Sequence, residues 1–297
     1  MWKTNLIKRG IKMSFFEQHA HYNDEKFNED REEVIQKVYN SGVTGIVNAG
    51  YSVESSMQAI KLAEKYSFIY ATCGVSPNDI PESKEEIDTQ LKEIKKFAKS
   101  RKKVIAIGEI GLDYYWNKEN KELQKYAFIE QIKIANEINL PIVIHTREAV
   151  DDTLNILRNI VNVVKPGVFH CCPLNRELVK QALELGFFIS LAGVITFKNS
   201  KNANEIIEMI PNDRILIETD SPYLSPEPNR GKRNDSRNLV YIAEKIANVK
   251  NISIEEVQKI TLENAEKLYN KTCHILEHGM PPKVWDSVQD LQHYAGE

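Results

Sequence analysis

Short apolar runs rich in Val and Ile alternate along the chain with longer segments whose apolar residues recur every three to four positions. The segment containing Val34, Ile35 and Val38 is one example of this helical spacing. Eight runs are candidate strands: residues 15–21, 45–50, 69–75, 104–113, 142–146, 167–172, 187–193 and 215–222. Because these runs are nearly continuous rather than alternating with polar residues, we expect a parallel sheet buried on both faces.

Eight strand and helix units in succession predict an α/β fold, a (β/α)8 TIM-type barrel. The open doubly wound sheet is the rival architecture, but it requires a glycine-rich turn after the first strand, and none follows residue 21. Two further helices are expected at 235–248 and 253–269, the second opening with the capping pair Ser253 and Glu256. The barrel domain is therefore predicted to span 15–270, between an N-terminal extension at 1–14 and a tail at 271–297.

Composition narrows the class of protein. The chain has 297 residues, of which 42% are hydrophobic and 27% charged, and no apolar stretch reaches the length of a membrane span. A net charge of −3 excludes a protein that coats nucleic acid through a global basic surface, so any polyanion site must be local. Four cysteines without a regular spacing favour a reduced, cytoplasmic protein, and we expect a monomer without an obligate protein partner.

Ionisable residues stand at the ends of five of the predicted strands, where barrel enzymes carry their chemistry. Alone, each histidine is most simply a hydrogen-bonded structural residue. Together they supply ligands for two metal ions a few Å apart with a carboxylate between them, and burying them without a cation is costly. The predicted metal ligands are His19, His21, Glu109, His145, His170 and Asp220. Two divalent cations per chain, of Mg, Mn or Zn, are therefore the expected cofactors.

Several long motifs in this order resemble the TatD family of metal-dependent deoxyribonucleases, which belongs to the amidohydrolase-type hydrolases. They are the His19-Ala20-His21 triplet, the segments 108–115, 140–147, 168–171 and 216–224, and the block 230–234. The resemblance covers about residues 15–270. It implies a two-metal barrel that hydrolyses phosphodiester bonds in DNA, acting in some members as an exonuclease. By position it implies that Glu109 bridges an ion held by His19, His21 and Asp220 to a second ion held by His145 and His170.

Two positions depart from the family pattern. Members usually carry Asp and then Ser or Thr before the His-x-His triplet, whereas this chain has Glu17 and Gln18. They also commonly carry Gly-x-His-Pro-His after the third strand, where this chain has Ser76 and Asn78 in place of both histidines. None of the six predicted ligands is affected, so we expect metal binding to persist and substrate contact or rate to differ.

Basic and aromatic residues near the strand ends are candidates for substrate contact. Arg147 follows His145, and a loop after the eighth strand carries Arg230, Lys232 and Arg233; these four cations are predicted to bind phosphates of DNA. The alternative is a solvated charge cluster. The run Tyr114-Tyr115-Trp116 follows the fourth strand and is either a stacking surface for bases at a frayed end or a plug of the core.

Asp220 is the best candidate for a catalytic base that orients the attacking water and takes its proton. The predicted function is a metal-dependent deoxyribonuclease, with exonuclease action expected. The ligands do not separate phosphorus from carbonyl carbon as the electrophile, so an amide or ester hydrolase such as an aminoacyl-tRNA deacylase is the alternative. A barrel that binds without catalysis would show a broken ligand set, and all six positions are filled.

Overall fold

Eight parallel strands follow one another around a barrel in sequence order, as predicted. The structure is a computed structural model that describes residues 14–270. A parallel bridge between Ala20 and Ser221 joins the first strand to the segment after the eighth. The strands are β1 Phe15–Ala20, β2 Val43–Asn48, β3 Ile69–Cys73, β4 Val104–Asp113, β5 Ile142–Arg147, β6 Val168–Phe169, β7 Phe188–Leu191 and β8 Ile215–Ile217.

Helices connect and cover these strands. Within the described residues they are α1 Arg31–Asn40, α2 Val53–Lys65, α3 Lys84–Ser100, α4 Lys121–Ile138, α5 Val150–Asn155, α6 Arg176–Glu184, α7 Ala203–Met209, α8 Leu239–Lys250 and α9 Ile254–Tyr269. The predicted capping pair is confirmed, since the Ser253 side chain accepts a hydrogen bond of 3.1 Å from the Glu256 amide. The helix expected from residue 235 begins at Leu239 instead, because Asp235 caps a separate short turn.

The strands that precede the polar residues are shorter than the apolar pattern indicates. The predicted strand 167–172 is only Val168–Phe169, and the predicted strand 215–222 is Ile215–Ile217. Two residues end the extended conformation there, since Cys171 and Asp220 have φ angles of 37° and 55° in the left-handed region. His170 and Asp220 therefore lie in turns just beyond their strands, where their side chains are free to face the barrel mouth.

The barrel interior is filled by a cluster to which all eight strands contribute. Its strand residues are Phe16, Val47, Tyr70, Ile105, Ala106, Val143, Val168, Phe188 and Leu216. Ala265, Leu268 and Tyr269 of α9 join the same cluster. The last helix thus closes one end of the barrel, and a second, larger cluster lies between the strands and the surrounding helices.

Two expectations fall partly outside the described region. The extension (1–14, apart from Ser14) and the tail (271–297) lie outside the described residues. Between residues 14 and 270, no helix combines the length and the apolar character needed to cross a lipid bilayer. The three cysteines in that range, Cys73, Cys171 and Cys172, form no disulfide.

Candidate metal centre

All six predicted ligands converge at one end of the barrel. The side chains of His19 and His21 lie close together, with their Nε2 atoms 3.1 Å apart. The Nε2 atom of His21 lies 3.3 Å from Oδ1 of Asp220. On the other side, Nδ1 of His145 lies 3.1 Å from Nε2 of His170. Donor atoms at such separations can share one ion when each lies about 2.0–2.2 Å from it.

Glu109 lies between the two groups and turns one carboxylate oxygen toward each. Its Oε1 atom is 3.1 Å from Nδ1 of His145 and 3.2 Å from Nε2 of His170. Its Oε2 atom is 3.5 Å from Nε2 of His19 and 3.8 Å from Nε2 of His21. A carboxylate arranged in this way can bridge two cations.

The outer ring nitrogens of three histidines face hydrogen-bond acceptors. Nδ1 of His21 lies 3.2 Å from the Ala49 carbonyl oxygen, and Nδ1 of His170 lies 3.3 Å from Oε1 of Glu218. Nε2 of His145 lies 3.0 Å from the Asp113 carboxylate. An outer N–H donated in each case leaves the inner nitrogen with a lone pair directed into the centre, which is the arrangement found in histidines that bind metal. The donor set therefore fits divalent cations.

The turn that carries Asp220 is tied to β1 by backbone and side-chain hydrogen bonds. The Asp220 amide donates to the His19 carbonyl oxygen at 3.0 Å. Oε1 of Glu17 accepts from the Thr219 amide at 2.8 Å and from the His19 amide at 3.3 Å, while Oε2 accepts from the Thr219 hydroxyl at 2.6 Å. Burial raises the pKa of Glu17 to about 8. Glu17 thus supports the His-x-His triplet despite its departure from the family pattern.

Electrostatics couple the carboxylates and imidazoles of the centre. Burial alone would raise the pKa of Glu109, but His170 and His145 hold it well below its usual value. Burial likewise opposes charge on His170, and Glu109 nevertheless raises the pKa of that imidazole well above normal. Asp220 and His21 shift one another in the same two directions. A cation entering the centre would displace protons from these imidazoles, so low pH is expected to weaken metal binding.

Two residues that support the ligands were missed in the sequence. Asp113 orients His145, and its carboxylate also accepts a hydrogen bond of 3.3 Å from the Asn78 side chain. Glu218 is fully buried, and its Oε1 accepts from the Cys171 amide at 2.6 Å beside the contact with His170. Each had a signal in the sequence. Asp113 is a carboxylate on the same strand as Glu109, and Glu218 lies two residues before Asp220.

Asn78 occupies the region where the family pattern carries a second histidine. Its side-chain amide donates to the carboxylate of Asp113, which in turn contacts His145. Ser76 instead donates to Asp79 at 2.5 Å. Asn78 therefore supplies a neutral donor to the carboxylate that orients a predicted ligand, while Ser76 stabilises the turn itself.

The four cations predicted to contact substrate lie in different surroundings. Arg147 is exposed, and its guanidinium lies 3.7 Å from the centroid of the Tyr115 ring. In the loop, Arg230 lies 3.6 Å over the Phe197 ring, and Arg233 pairs with Asp30. Lys232 lines a groove that acidic residues also line. The Arg233 guanidinium is thus engaged in an ion pair with a carboxylate of the same chain.

The aromatic run after β4 divides into two parts. Tyr114 is buried, and its hydroxyl donates to Asp152 at 2.6 Å, as in a core plug. Tyr115 and Trp116 are 46% and 69% exposed. The interpretation as a core plug therefore fits Tyr114, whereas Tyr115 and Trp116 lie at the surface.

Comparison with known proteins agrees with this architecture. The sequence profile of the family described as "TatD related DNase" matches residues 16–270. The chain is 42% identical over 254 residues to a Bacillus subtilis protein named "Uncharacterized metal-dependent hydrolase YabD", covering 86% of this chain and 98% of that protein. It is 32% identical over 228 residues to the Shigella flexneri "3'-5' ssDNA/RNA exonuclease TatD", covering 75% of this chain and 86% of that one.

A solved structure shares the fold. The crystal structure of YJJV, a TatD homologue from Escherichia coli K12, superposes with a TM-score of 0.81 at 24% identity. The alignment covers 88% of this chain and 100% of that one. A TIM barrel with histidines and carboxylates gathered at one mouth defines the class as metal-dependent hydrolases. Within that class, the chain belongs to the TatD-related DNase family.

Proposed function

We propose that this protein is a deoxyribonuclease of the exonuclease type that uses two divalent cations per chain. The observation that carries the proposal is the placement of Glu109, whose two carboxylate oxygens face separate pairs of histidines. Its support from relatives is the family description and the exonuclease name of the Shigella flexneri protein.

In this proposal each ligand has a definite place. His19, His21 and Asp220 would hold one cation together with Glu109, and His145 and His170 would hold the other together with the same carboxylate. When bound, divalent cations supply positive charge that lowers the pKa of water and offsets charge on phosphoryl oxygens. Magnesium, manganese and zinc all remain candidates, because nitrogen and carboxylate donors accommodate each of them.

The side chains have separate roles in the reaction. Asp220 orients the attacking water and accepts its proton. It is the last of the six proposed ligands along the chain, and its carboxylate lies at the open mouth of the barrel. Asp113 and Glu218 hold His145 and His170 in the ring orientation that directs a lone pair inward. Arg147, Arg230 and Lys232 attract the phosphates of the DNA strand. Arg233 anchors the loop on which two of these cations lie.

In this proposal the protein acts as a monomer in the cytoplasm. The six proposed ligands all come from one chain, so no second copy is required to complete the centre. Three unpaired cysteines among residues 14–270 are consistent with a reducing compartment.

The test is a comparison of substrates with the purified protein loaded with Mg²⁺, Mn²⁺ or Zn²⁺. We expect end-labelled single-stranded or duplex DNA to be shortened stepwise, and a chelator to abolish the reaction. An aminoacyl-tRNA ester is the comparison substrate. Cleavage of the ester with no action on DNA would replace the proposal by the hydrolase alternative, and binding without cleavage of either substrate would indicate an inactive barrel.

A further inference from the structure

Two exposed aromatic rings and an arginine form a continuous surface beside the metal centre. Tyr115 and Trp116 meet edge to face, with ring centroids 4.9 Å apart and planes at 88°. The guanidinium of Arg147 lies 3.7 Å from the Tyr115 centroid and 5.6 Å from that of Trp116. We call these three residues the stacking platform. Trp116 is 69% exposed, so most of its indole is available to a partner.

The platform is fixed to the centre through one carboxylate. Oδ1 of Asp113 accepts the backbone N–H groups of Tyr115 and Trp116, at 2.9 and 3.1 Å. Oδ2 of the same residue contacts Nε2 of His145 at 3.0 Å. Arg147 lies two residues after His145 on β5. The platform therefore lies at a set position relative to a proposed metal ligand.

A buried glutamine holds the loop that carries the platform. The Gln124 side-chain oxygen accepts from the Asp113 amide at 2.8 Å. Its nitrogen donates to the Asn117 carbonyl oxygen at 2.9 Å and to the Asn120 side chain at 2.8 Å. Because these bonds pin both sides of the aromatic pair, little ordering is needed when a ligand binds.

The chemistry of the platform selects a flat, π-rich ligand that carries negative charge. Aromatic faces stack on any nucleobase, and an arginine beside them contributes both stacking and attraction to phosphate. A base within a duplex has its faces covered by neighbouring bases, whereas an unpaired base offers a free face. An aliphatic amide or ester substrate offers neither feature.

We propose that Tyr115, Trp116 and Arg147 bind an unpaired base near the end of a single-stranded nucleic acid while the adjoining phosphodiester lies at the metal centre. This inference rests on the proposed nuclease function and adds the residues that hold the base beside the bond to be cleaved. It also assigns a role to the exposed aromatic residues, which the six proposed ligands leave unexplained.

Binding of labelled single strands to metal-loaded protein tests the platform without relying on turnover. The strands have about ten nucleotides, comparable to known single-strand sites, and phosphorothioate linkages that slow cleavage. In matched strands the terminal nucleotides at one end or the other are abasic. We expect abasic residues at one end to weaken binding to the wild type by about 5- to 100-fold, the range of base stacking on an aromatic ring.

Variants of Trp116 separate stacking from general apolar contact. Trp116→Ala and Trp116→Leu are expected to lose the difference between base-bearing and abasic strands, while Trp116→Phe retains most of it. Tyr223→Ala, which removes another exposed aromatic ring, serves as the control and should preserve the difference. Wild-type discrimination in Trp116→Ala, or its loss in Tyr223→Ala, would overturn the assignment.

The result is independent of the proposed reaction. A protein that cleaves DNA but binds base-bearing and abasic ends equally would overturn the platform and leave the nuclease proposal standing. A protein that binds base-bearing ends more tightly than abasic ends but cleaves no DNA would support the platform and contradict the nuclease proposal.

Discussion

The carboxylate of Asp113 contacts Nε2 of His145 at 3.0 Å and thereby sets which nitrogen of that imidazole faces Glu109. Burial opposes ionisation of Asp113, but His145 and the Trp116 amide lower its pKa to about 2. The carboxylate is therefore charged at neutral pH and favours an imidazole that donates outward. A metal ligand, a supporting carboxylate and the platform loop are thus parts of one hydrogen-bonded unit.

Asp113→Asn should weaken metal binding without unfolding the barrel. An asparagine keeps the shape and one acceptor oxygen but not the charge that favours the outward N–H of His145. We expect a loss of about 10- to 100-fold in affinity for one of the two ions, the range typical of partners that orient a ligand. Metal titration by calorimetry measures this.

The matched control is Asp88→Asn, which alters an exposed carboxylate of α3 that accepts from Tyr126. It should bind metal as the wild type does. Equal metal affinities in Asp113→Asn and the wild type would show that His145 does not depend on this carboxylate.

The six candidate ligands, which the structure brings together, could be chosen from the sequence more readily than the residues that orient them. Side chains two apart on a strand share a face, and polar residues that interrupt apolar runs are conspicuous, so His19, His21 and Glu109 could be chosen directly as candidate ligands. Asp113 could not, because its role depends on the register that places Gly111 of β4 beside His145 of β5. Such pairing across strands is absent from the linear pattern.

The strand ends were overestimated for a related reason. Buried residues such as His170, Glu218 and Thr219 continue past the last hydrogen-bonded position of β6 and β8, where backbone turns at Cys171 and Asp220 replace the extended conformation. Periodicity reports burial, and buried residues in turns look like buried residues in strands. The sequence also left open which residues of the aromatic run are buried. In the structure Tyr114 is buried and bonded to Asp152, whereas Trp116 is exposed.

The loop cations are expected to differ in their effect on DNA binding. Arg230→Ala combined with Lys232→Ala should flatten the plot of log affinity against log salt by about 0.7 for each lost phosphate contact on a single strand. Arg233→Ala removes the pair with Asp30 and should leave this slope almost unchanged. An unchanged slope in the double variant would return its two residues to the class of solvated surface charges.

Asp220→Asn tests the proposed base. Asparagine keeps one oxygen that can bind a cation but does not accept a proton, so hydrolysis should fall by roughly 10²- to 10⁴-fold at saturating metal. Single-strand binding should persist. Asp213→Asn, a change at an exposed carboxylate just before β8, is the control and should keep normal turnover. Near-normal turnover in Asp220→Asn would assign proton transfer to another group.

The central claim is that Glu109 joins two cations in one centre, and elemental analysis of the saturated, gel-filtered protein tests it most directly. The account predicts two divalent ions per chain in the wild type. It predicts fewer than one in Glu109→Ala, because that variant removes a donor from both groups of histidines. A wild-type stoichiometry of one or less, or two ions retained by Glu109→Ala, would contradict the bridged centre.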